Sequence, residues 1–525
     1  MTQQRRGDTS GQIESPAPRS AESPSWWPLA AICAGIGMLL IDVTVVNVAM
    51  PAIQSDLGAD FDALQWVIDA YTLGVATLLL TFGTLGDRIG RRKVFMAGLL
   101  VFTAASLACG LAPNVLFLNV SRLVQGVGGS VMFATSLAIL GATYRGKARG
   151  TAFGVWGATA GAAVAVGPVV SGVLVTGLSW RWIFFINVPI GVLAAVITWW
   201  KVGESADPQA HRIDIPGVLT FSAALGLLVF ALIRGTDWGW GSGSIVAVLV
   251  GALILAVAFV VIELRMAYPM LDLSLFTRPS FTGAQVAAFT VSASLFAMLL
   301  YLTFYLQNVL GYSALGAGLR MIALSVSTLL IAPAAGKLAG RIPYRWLIST
   351  ALAVAGIGLL LMRLVHVGSG WTALLAGLIV AGLGAGAVNP PLASLAVGVV
   401  EPARSGMASG VNNTFRQVGI AAGIAAYGAI LQAHVRGRLD DVVGTRLPPG
   451  AMQGLTKAIA SGRVREASGQ APPAVRPKLV AAGLESYVSG LDLLLLIAAV
   501  VAFIGAVLAA VLIRTDDIGV AGGQD

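Results

Sequence analysis

Long apolar runs separated by short polar links dominate the sequence. A helix that crosses the hydrocarbon core of a bilayer needs roughly 20 apolar residues. Runs of about this length recur fourteen times along the chain, so we predict an all-α membrane protein with fourteen transmembrane helices. The predicted spans are 28–51, 65–86, 94–111, 115–142, 150–176, 182–201, 214–234, 244–265, 280–306, 315–339, 346–366, 372–398, 407–431 and 488–513.

The two ends of the chain and one internal stretch depart from this pattern. Residues 1–26 are polar and rich in Ser, Pro and Arg, and we interpret them as a disordered cytoplasmic tail. Residues 516–525 form a second, short tail. The first apolar run is too long for the core of a signal peptide, so we interpret it as a retained span. The stretch 432–487 is polar and contains two Pro-Pro pairs, which indicates a long extracytoplasmic loop.

The composition excludes a soluble protein. The 525 residues are 57% hydrophobic and 11% charged, with a mean hydropathy of +0.85, whereas a soluble domain is about one quarter charged. The net charge of +9 suits anionic lipid headgroups rather than nucleic acid, because the basic residues stand in short groups between apolar runs. The two cysteines lie inside apolar runs and the histidines are far apart, so no metal site is expected.

Basic residues accumulate in alternate links, and this predicts the orientation in the membrane. One group follows the second predicted span at 88–93, and others follow the fourth, sixth and tenth spans. Loops rich in Lys and Arg remain on the cytoplasmic side, so both termini are predicted to be cytoplasmic. The basic stretch 432–487 then falls outside, which is a mild conflict with the same rule.

Two sequence patterns occur twice in the chain. Residues 83–89 resemble 336–342, and residues 147–155 resemble 402–411 with one insertion. Both shifts equal eight predicted spans, which a six-span unit plus two inserted spans explains. Two repeated bundles that face a central site are typical of transporters with alternating access. The predicted division is an N-terminal six-helix bundle at 27–201, two linker helices within 202–279 and a C-terminal six-helix bundle at 280–515.

The link after the second predicted span carries the most specific local pattern. Glycines allow two helix ends to approach closely, and an acid beside them can face a helix N-terminus or pair with arginine. We interpret this link as a conformational latch. A basic turn that only sets topology would explain its arginines, but not the acid and the glycines. The predicted latch residues are Gly83, Asp87, Arg88, Gly90, Arg91 and Arg92.

An acid in the first predicted span is a candidate for proton coupling. A carboxylate deep in lipid costs a few kcal/mol, so Asp42 should face protein or water. Arg122 in the fourth span lies at a similar depth and could pair with Asp42. The alternative is a static ion pair that only joins the two spans. Asp69 opens the second span and is a further candidate, although a solvated acid at a helix end is an equal alternative.

Small and polar residues in other apolar runs suggest a tightly packed helix and a cavity. Glycines and a proline in the fifth span indicate close contact and a bend, at Gly154, Gly167, Pro168 and Gly172. Plain helix packing is the alternative for each of these residues and for the cavity. Candidate cavity residues are Trp66, Tyr71, Gln125, Trp156, Tyr301, Tyr305, Gln307, Asn389, Asn412, Asn413 and Arg416. The sequence contains no phosphate-binding glycine loop, so ATP is not expected as a partner.

Five motifs stand out along the chain, at 42–51, 83–93, 122–126, 180–191 and 305–313. Together they resemble the major facilitator superfamily, and more narrowly its fourteen-span drug:proton antiporters of the EmrB/QacA type. The resemblance covers roughly residues 28–515. Span five departs from the family's antiporter motif, since Ala163 and Ser171 replace two of its glycines. In the second repeat, Gly340 stands where the first repeat has Asp87.

The resemblance implies a fold of two six-helix bundles plus two inserted helices in the bacterial plasma (inner) membrane. It also implies a proton-driven exporter of hydrophobic or cationic drugs or antibiotics, working as a monomer on small amphipathic substrates. It implicates Arg122 in proton coupling, with the proton as coupling ion and no other cofactor. An exporter of one native metabolite, self-made antibiotic or lipid is the alternative, and a non-transporting receptor is a weaker one. We find no catalytic cluster, so an enzyme is not expected.

Overall fold

The computed structural model describes residues 25–59, 61–206, 214–339, 341–443, 449–469 and 476–514. Within these ranges the chain forms nineteen α-helices, a few short 3-10 or π segments and no strand. The N-terminal half contains α1 (Trp27–Leu57), α2 (Phe61–Thr77), α3 (Leu79–Ile89), α4 (Arg91–Gly110), α5 (Val115–Thr143), α6 (Gly146–Gly177), α7 (Trp182–Phe185) and α8 (Asn187–Lys201).

Two helices lie between this half and the C-terminal half, at the place of the predicted linker helices. They are α9 (Ile215–Trp238) and α10 (Gly243–Arg265). The C-terminal half contains α11 (Pro279–Val291), α12 (Ala297–Phe304), α13 (Ala314–Leu338), α14 (Tyr344–Leu361), α15 (Thr372–Gly398), α16 (Ser405–Val443), α17 (Pro449–Ala460), α18 (Val464–Gly469) and α19 (Arg476–Leu512).

Polar residues in the links begin several of these helices. The side chain of Asn114 accepts a hydrogen bond from Phe117 N at 2.9 Å, and the side chain of Ser313 accepts one from Gly316 N at 3.1 Å. Such caps satisfy backbone N–H groups that have no partner inside the helix. The helices therefore begin at the polar links, as the alternation of apolar and polar segments predicts.

Each of the fourteen predicted spans overlaps a helix or an interrupted helix. Twelve helices in the described ranges are long and apolar enough to cross a membrane, and α2 with α3, bent by 47°, makes thirteen. The helix α6 contains the predicted fifth span but is not among these thirteen. The chain is therefore an all-helical membrane protein with about twelve apolar helices, and the number fourteen stays a prediction.

The stretch 432–487, interpreted from the sequence as a loop, is largely helical. The helix α16 continues to Val443, α17 and α18 follow, and α19 begins at Arg476. Apolar side chains such as Leu439, Ile459 and Val464 are buried there against the core of the C-terminal half. Pro449 is compatible with this helical structure, because it stands at the first position of α17, where a missing N–H costs nothing. The extracytoplasmic position of this stretch stays a prediction. Pro448, Pro472 and Pro473 lie outside the described residues.

Glycines bring the two halves into contact at two equivalent places. An added Cβ at Gly83 on α3 would collide with the carbonyl oxygen of Gly406 on α16, and one at Gly150 on α6 would collide with that of Gly336 on α13. The predicted repeat relates Gly83 to Gly336. The two helix crossings are thus the same contact made once by each repeat, and small residues are required at both.

Candidate functional site

The acid of the first span lies in a buried polar cluster between α1, α5 and α8. The Asp42 carboxylate forms an ion pair with Arg122 and accepts hydrogen bonds from Gln125 Nε2 at 2.9 Å and Asn187 Nδ2 at 3.0 Å. These side chains are at most 2% exposed. The sequence-based pairing of Asp42 with Arg122 is therefore correct in geometry.

Further contacts hold Arg122 in place. It donates to Gln125 Oε1 at 2.7 Å and to Val67 O at 3.0 Å, and its guanidinium lies 4.1 Å from the ring centre of Tyr71. Removing one partner of such a buried pair costs about 3–5 kcal/mol, because an uncompensated charge remains. The ion pair with Arg122 therefore joins α1 to α5 through a contact that neither helix can lose without leaving a buried charge uncompensated.

Two members of this cluster were missed in the sequence. Ser106 Oγ accepts hydrogen bonds from Gln125 Nε2 at 2.7 Å and Asn187 Nδ2 at 3.3 Å. Asn187 is a lone amide in an apolar run and belongs to the motif at 180–191, so that motif could have identified it. A single serine in a membrane helix carries no such signal, because its hydroxyl usually bonds its own helix backbone.

Asp69 lies outside the Asp42 cluster and is bound to an inserted helix. Its carboxylate pairs with Arg234 on α9 at 3.1 Å. Arg234 also donates to Gln65 at 3.3 Å and lies 4.8 Å from the ring centre of Trp66. Asp69 is 8% exposed, so the alternative of a solvated acid is wrong. Its contacts anchor α9 to α2, and Trp66 belongs to this anchor.

The predicted latch joins the two halves of the molecule. Asp87 on α3 accepts hydrogen bonds from the backbone N–H groups of Gly406 at 2.9 Å and Met407 at 2.8 Å. It also pairs with Arg91 at 2.7 Å, and Arg91 donates to Ala403 O at 3.1 Å. The carboxylate therefore caps the N-terminus of α16, where a negative charge is favourable.

The other latch residues hold the adjoining turn. Gly90 has φ +121° and faces Glu204. Glu204 accepts hydrogen bonds from Arg92 N at 3.1 Å and Lys93 N at 3.3 Å, and so caps α4. Arg88 lies elsewhere, in the lining of a cavity of about 200 Å³ between α3 and α9. The latch thus consists of a contact between the halves and a separate cap within the N-terminal half.

The glycines of α6 allow this helix to pack between α1 and α13. An added Cβ at Gly154 would lie 3.1 Å from Ala332 O, and one at Gly172 would lie 3.6 Å from Leu315 Cβ, both on α13. An added Cβ at Gly167 would collide with the side chain of Thr44 on α1. Close packing therefore explains these glycines. The side chain of Pro168 lies outside the described part of the chain.

The predicted cavity residues fall into separate groups. Tyr71 and Gln125 belong to the Asp42 cluster. Tyr301 donates to Ile424 O at 2.7 Å and Tyr305 to Ser369 O at 3.4 Å, inside the C-terminal half, and Gln307 lies in the π segment Tyr305–Val309. The remaining residues, described next, form one group at the contact between the halves.

This last group surrounds Arg416 on α16. Arg416 donates to Asn389 Oδ1 at 2.8 Å and to Asn412 Oδ1 at 3.3 Å. Asn413 donates to Phe133 O at 3.2 Å, and the Phe133 ring stacks on Trp156 with ring centres 5.8 Å apart. Because Phe133 and Trp156 belong to the N-terminal half, both halves contribute to this group.

An exposed acid on α1 provides a contrast to Asp42. Asp56 pairs with Arg181 and accepts a hydrogen bond from Trp180 Nε1 at 3.0 Å. The hydrogen bonds from Arg181 and Trp180 hold the pKa of Asp56 below its ordinary value. This surface pair contributes little to stability, because water screens it.

A two-half helical bundle with a latch between the halves and a buried acid–arginine cluster defines a membrane transporter rather than an enzyme. The chain belongs to the Major Facilitator Superfamily, whose profile matches residues 32–424. It is 35% identical over 423 residues to the multidrug resistance protein Stp of Mycobacterium tuberculosis (strain CDC 1551 / Oshkosh), covering 80% of this chain and 79% of that protein.

Two further comparisons agree with this assignment. The chain is 34% identical over 458 residues to the puromycin resistance protein pur8 of Streptomyces alboniger, covering 85% of this chain and 90% of that protein. Its fold matches the crystal structure of the human organic anion transporter MFSD10 (TETRAN) with a TM-score of 0.60, over 92% of this chain and 100% of that one. At 14% sequence identity, the second match shows the fold alone.

Proposed function

We propose that the protein exports drugs or antibiotics from a bacterial cell and is driven by protons that enter through Asp42. The names of the relatives, which are multidrug and puromycin resistance proteins, support the drug substrate. In this proposal the chain is a fourteen-span antiporter of the EmrB/QacA type. It acts as a monomer in the plasma membrane with both termini in the cytoplasm, and no ATP is involved.

The observation that carries the proton coupling is the buried pair of Asp42 and Arg122. Asp42 is fully buried among donors, so a proton on its carboxylate removes the charge that Arg122 and Asn187 bind. When the protein is open to the outside, water can deliver that proton. When it is open to the inside, the proton can leave and the ion pair forms again. The cluster then differs between the two states, as coupling requires.

The latch supports the alternation between these states. Asp87 binds the N-terminus of α16 from the N-terminal half, so the two halves are held together at this end. In the proposal this is the cytoplasmic end, and the cavity opens there only after the Asp87 contacts break. Asp87 is then a switch residue and has no contact with substrate.

Transport by the purified protein in proteoliposomes tests this function. The only energy source is an imposed pH gradient, and the compounds are a panel of cationic, neutral and anionic amphipathic drugs. We expect the wild type to concentrate at least one compound and Asp42→Asn to lose this accumulation. Downhill exchange of the compound should persist in Asp42→Asn, because the neutral side chain imitates the protonated acid.

The matched control is Asp56→Asn, which neutralises an exposed acid on the same helix and should leave accumulation unchanged. If Asp42→Asn vesicles still concentrate the compound with only a pH gradient, Asp42 is not the coupling site. If the wild type concentrates no compound in the panel, the proposal of proton-driven drug export is wrong. The number of compounds transported also separates a multidrug exporter from an exporter of one metabolite.

A further inference from the structure

Arg416 is a buried cation whose partners are neutral. It is 8% exposed, and its bonded groups are the amide oxygens of Asn389 and Asn412. The other buried arginines of the transporter core differ from it, since Arg122 is paired with Asp42 and Arg91 with Asp87. An isolated buried charge costs far more than a paired one, so the position of Arg416 requires an explanation.

The helices around Arg416 cannot supply a counter-anion in this arrangement. The helices α5, α6 and α15 contain no Asp or Glu, and α16 contains only Asp440 and Asp441 near its other end. At 1.5 Å per residue, Asp440 lies roughly 36 Å along the helix from Arg416. None of these four helices therefore places an acid beside Arg416.

Several polar atoms in the same group have no hydrogen-bond partner within the described part of the chain. They are Arg416 Nη2, Asn413 Oδ1 and Trp156 Nε1. Such atoms in a buried site normally find a partner. Arg416 Nη2 and Trp156 Nε1 are hydrogen-bond donors, and the first belongs to a positively charged guanidinium. The group therefore lacks a hydrogen-bond acceptor, and a negatively charged acceptor would match it best.

The group lies where the two halves meet. Asn413 on α16 bonds to the Phe133 carbonyl on α5, and Trp156 on α6 stacks on the Phe133 ring. An added Cβ at Gly157, the residue after Trp156, would lie 3.5 Å from Asn389 Cβ. Separation of the halves would therefore expose Arg416 and the Trp156 indole together.

We propose that Arg416 binds an anionic group of the transported compound, a carboxylate or a phenolate, while Trp156 contacts its apolar body. This inference rests on the proposed export function, because the ligand is the exported compound. A guanidinium binds a carboxylate through two parallel N–H groups, and Nη2 is available for such a bond. The family resemblance implied hydrophobic or cationic substrates, and Asp42 and Asp69 are acids in the N-terminal half that a cation could approach. Both acids are already paired with arginines, so neither attracts a cation in this state.

Ligand binding to the purified protein in nanodiscs tests the assignment. The probes are a dansylated amino acid with a free carboxylate and the carboxamide of the same compound, which differ in charge and hardly in shape. We expect the wild type to bind the carboxylate about tenfold more tightly than the carboxamide, as for a hydrogen bond between charged groups. This comparison needs no variant, and equal affinities overturn the proposal.

Variants then assign the preference to Arg416. Arg416→Gln should bind both probes equally, and Arg416→Lys should retain part of the preference, because it keeps the charge but loses the paired N–H groups. Arg363→Gln is the control, since Arg363 is bonded to Asp492 elsewhere in the same half, and it should retain the full preference. If Arg416→Gln does not fold, Arg416→Lys is the deciding variant. A preference for the carboxylate over the carboxamide that is smaller than in the wild type supports the bidentate contact, and an undiminished preference contradicts it.

Transport of the same probes separates this inference from the proposed function. If a pH gradient drives export of the probes but the carboxylate has no advantage over the carboxamide in the wild type, the function stands and the anion site is wrong. If the carboxylate is bound through Arg416 but no compound is driven by the gradient, the binding site stands and proton-driven export is wrong.

Discussion

Replacement of Asp87 by asparagine should open the end of the molecule that Asp87 holds closed. The carboxylate accepts hydrogen bonds from Gly406 N and Met407 N through its two oxygens and pairs with Arg91. An asparagine has one oxygen, so one backbone N–H of α16 would face an N–H₂ group. The negative charge at the helix N-terminus is also lost.

The size of this effect follows from the contacts that are lost. A hydrogen bond to a charged group contributes about 1.5–3 kcal/mol, and part of this is recovered when water reaches the separated helix end. We therefore expect the closed state to lose about 2 kcal/mol relative to the open one. Since 1.4 kcal/mol corresponds to a factor of ten, the ratio of closed to open molecules should fall roughly thirtyfold.

Distances between spin labels at Ile89 and Trp346 measure this ratio. Both side chains are exposed and stand at the end of the molecule where the latch lies, one in each half. We expect a longer distance to gain population in Asp87→Asn, with substrate affinity in detergent within a few-fold of the wild type. The control is Asp272→Asn, which breaks the exposed 2.8 Å pair with Arg404 and should cost at most about 1 kcal/mol.

An unchanged distance distribution in Asp87→Asn would refute the latch. A large loss of substrate affinity with normal opening would refute it as well, because Asp87 would then act on the substrate site. The background cysteines Cys33 and Cys109, which are unpaired, must be replaced before labelling.

Three smaller changes test other contacts. Gly83→Val should force α3 and α16 apart and mimic the open state of Asp87→Asn in the same distance measurement. Glu263→Gln should raise the melting temperature in detergent. The new amide can donate a hydrogen bond to Asp214, whose Oδ2 has no partner within the described residues. A lower melting temperature contradicts this. Arg234→Gln should lower the free energy of unfolding by about 3 kcal/mol, seen as a lower melting temperature, because Asp69 loses its salt bridge to Arg234. The double variant Arg234→Gln, Asp69→Asn should recover part of this loss.

Much of the architecture could be predicted because each membrane helix is encoded by its own run of apolar residues. Each predicted span overlaps a helix, since backbone groups in lipid must be satisfied within the segment. The repeat of 83–89 and 336–342 indicated the two halves, and their glycines form the matching contacts. The helices within 432–487 were not predicted, because polar amphipathic helices that pack on a protein core lack an apolar run.

The sequence indicated which charged residues belong to the candidate sites more often than it indicated their partners. Asp42 and Arg122 stood out because a charge in an apolar run must have a partner. The contact of Asp87 with the N-terminus of α16 could not be read from the sequence, since backbone N–H groups are present in every helix. Nothing local in the sequence connects Arg234 with Asp69, which is 165 residues away.

The sequence by itself thus determined the apolar helices, the two related halves and the charged residues that need partners. Only the tertiary structure decided which partner each one has, because that depends on the rotation of each helix about its axis. This rotation is set by the packing of all neighbouring helices together, and no single segment encodes it. The same packing leaves Arg416 without an acid, and no single helix sequence indicates that.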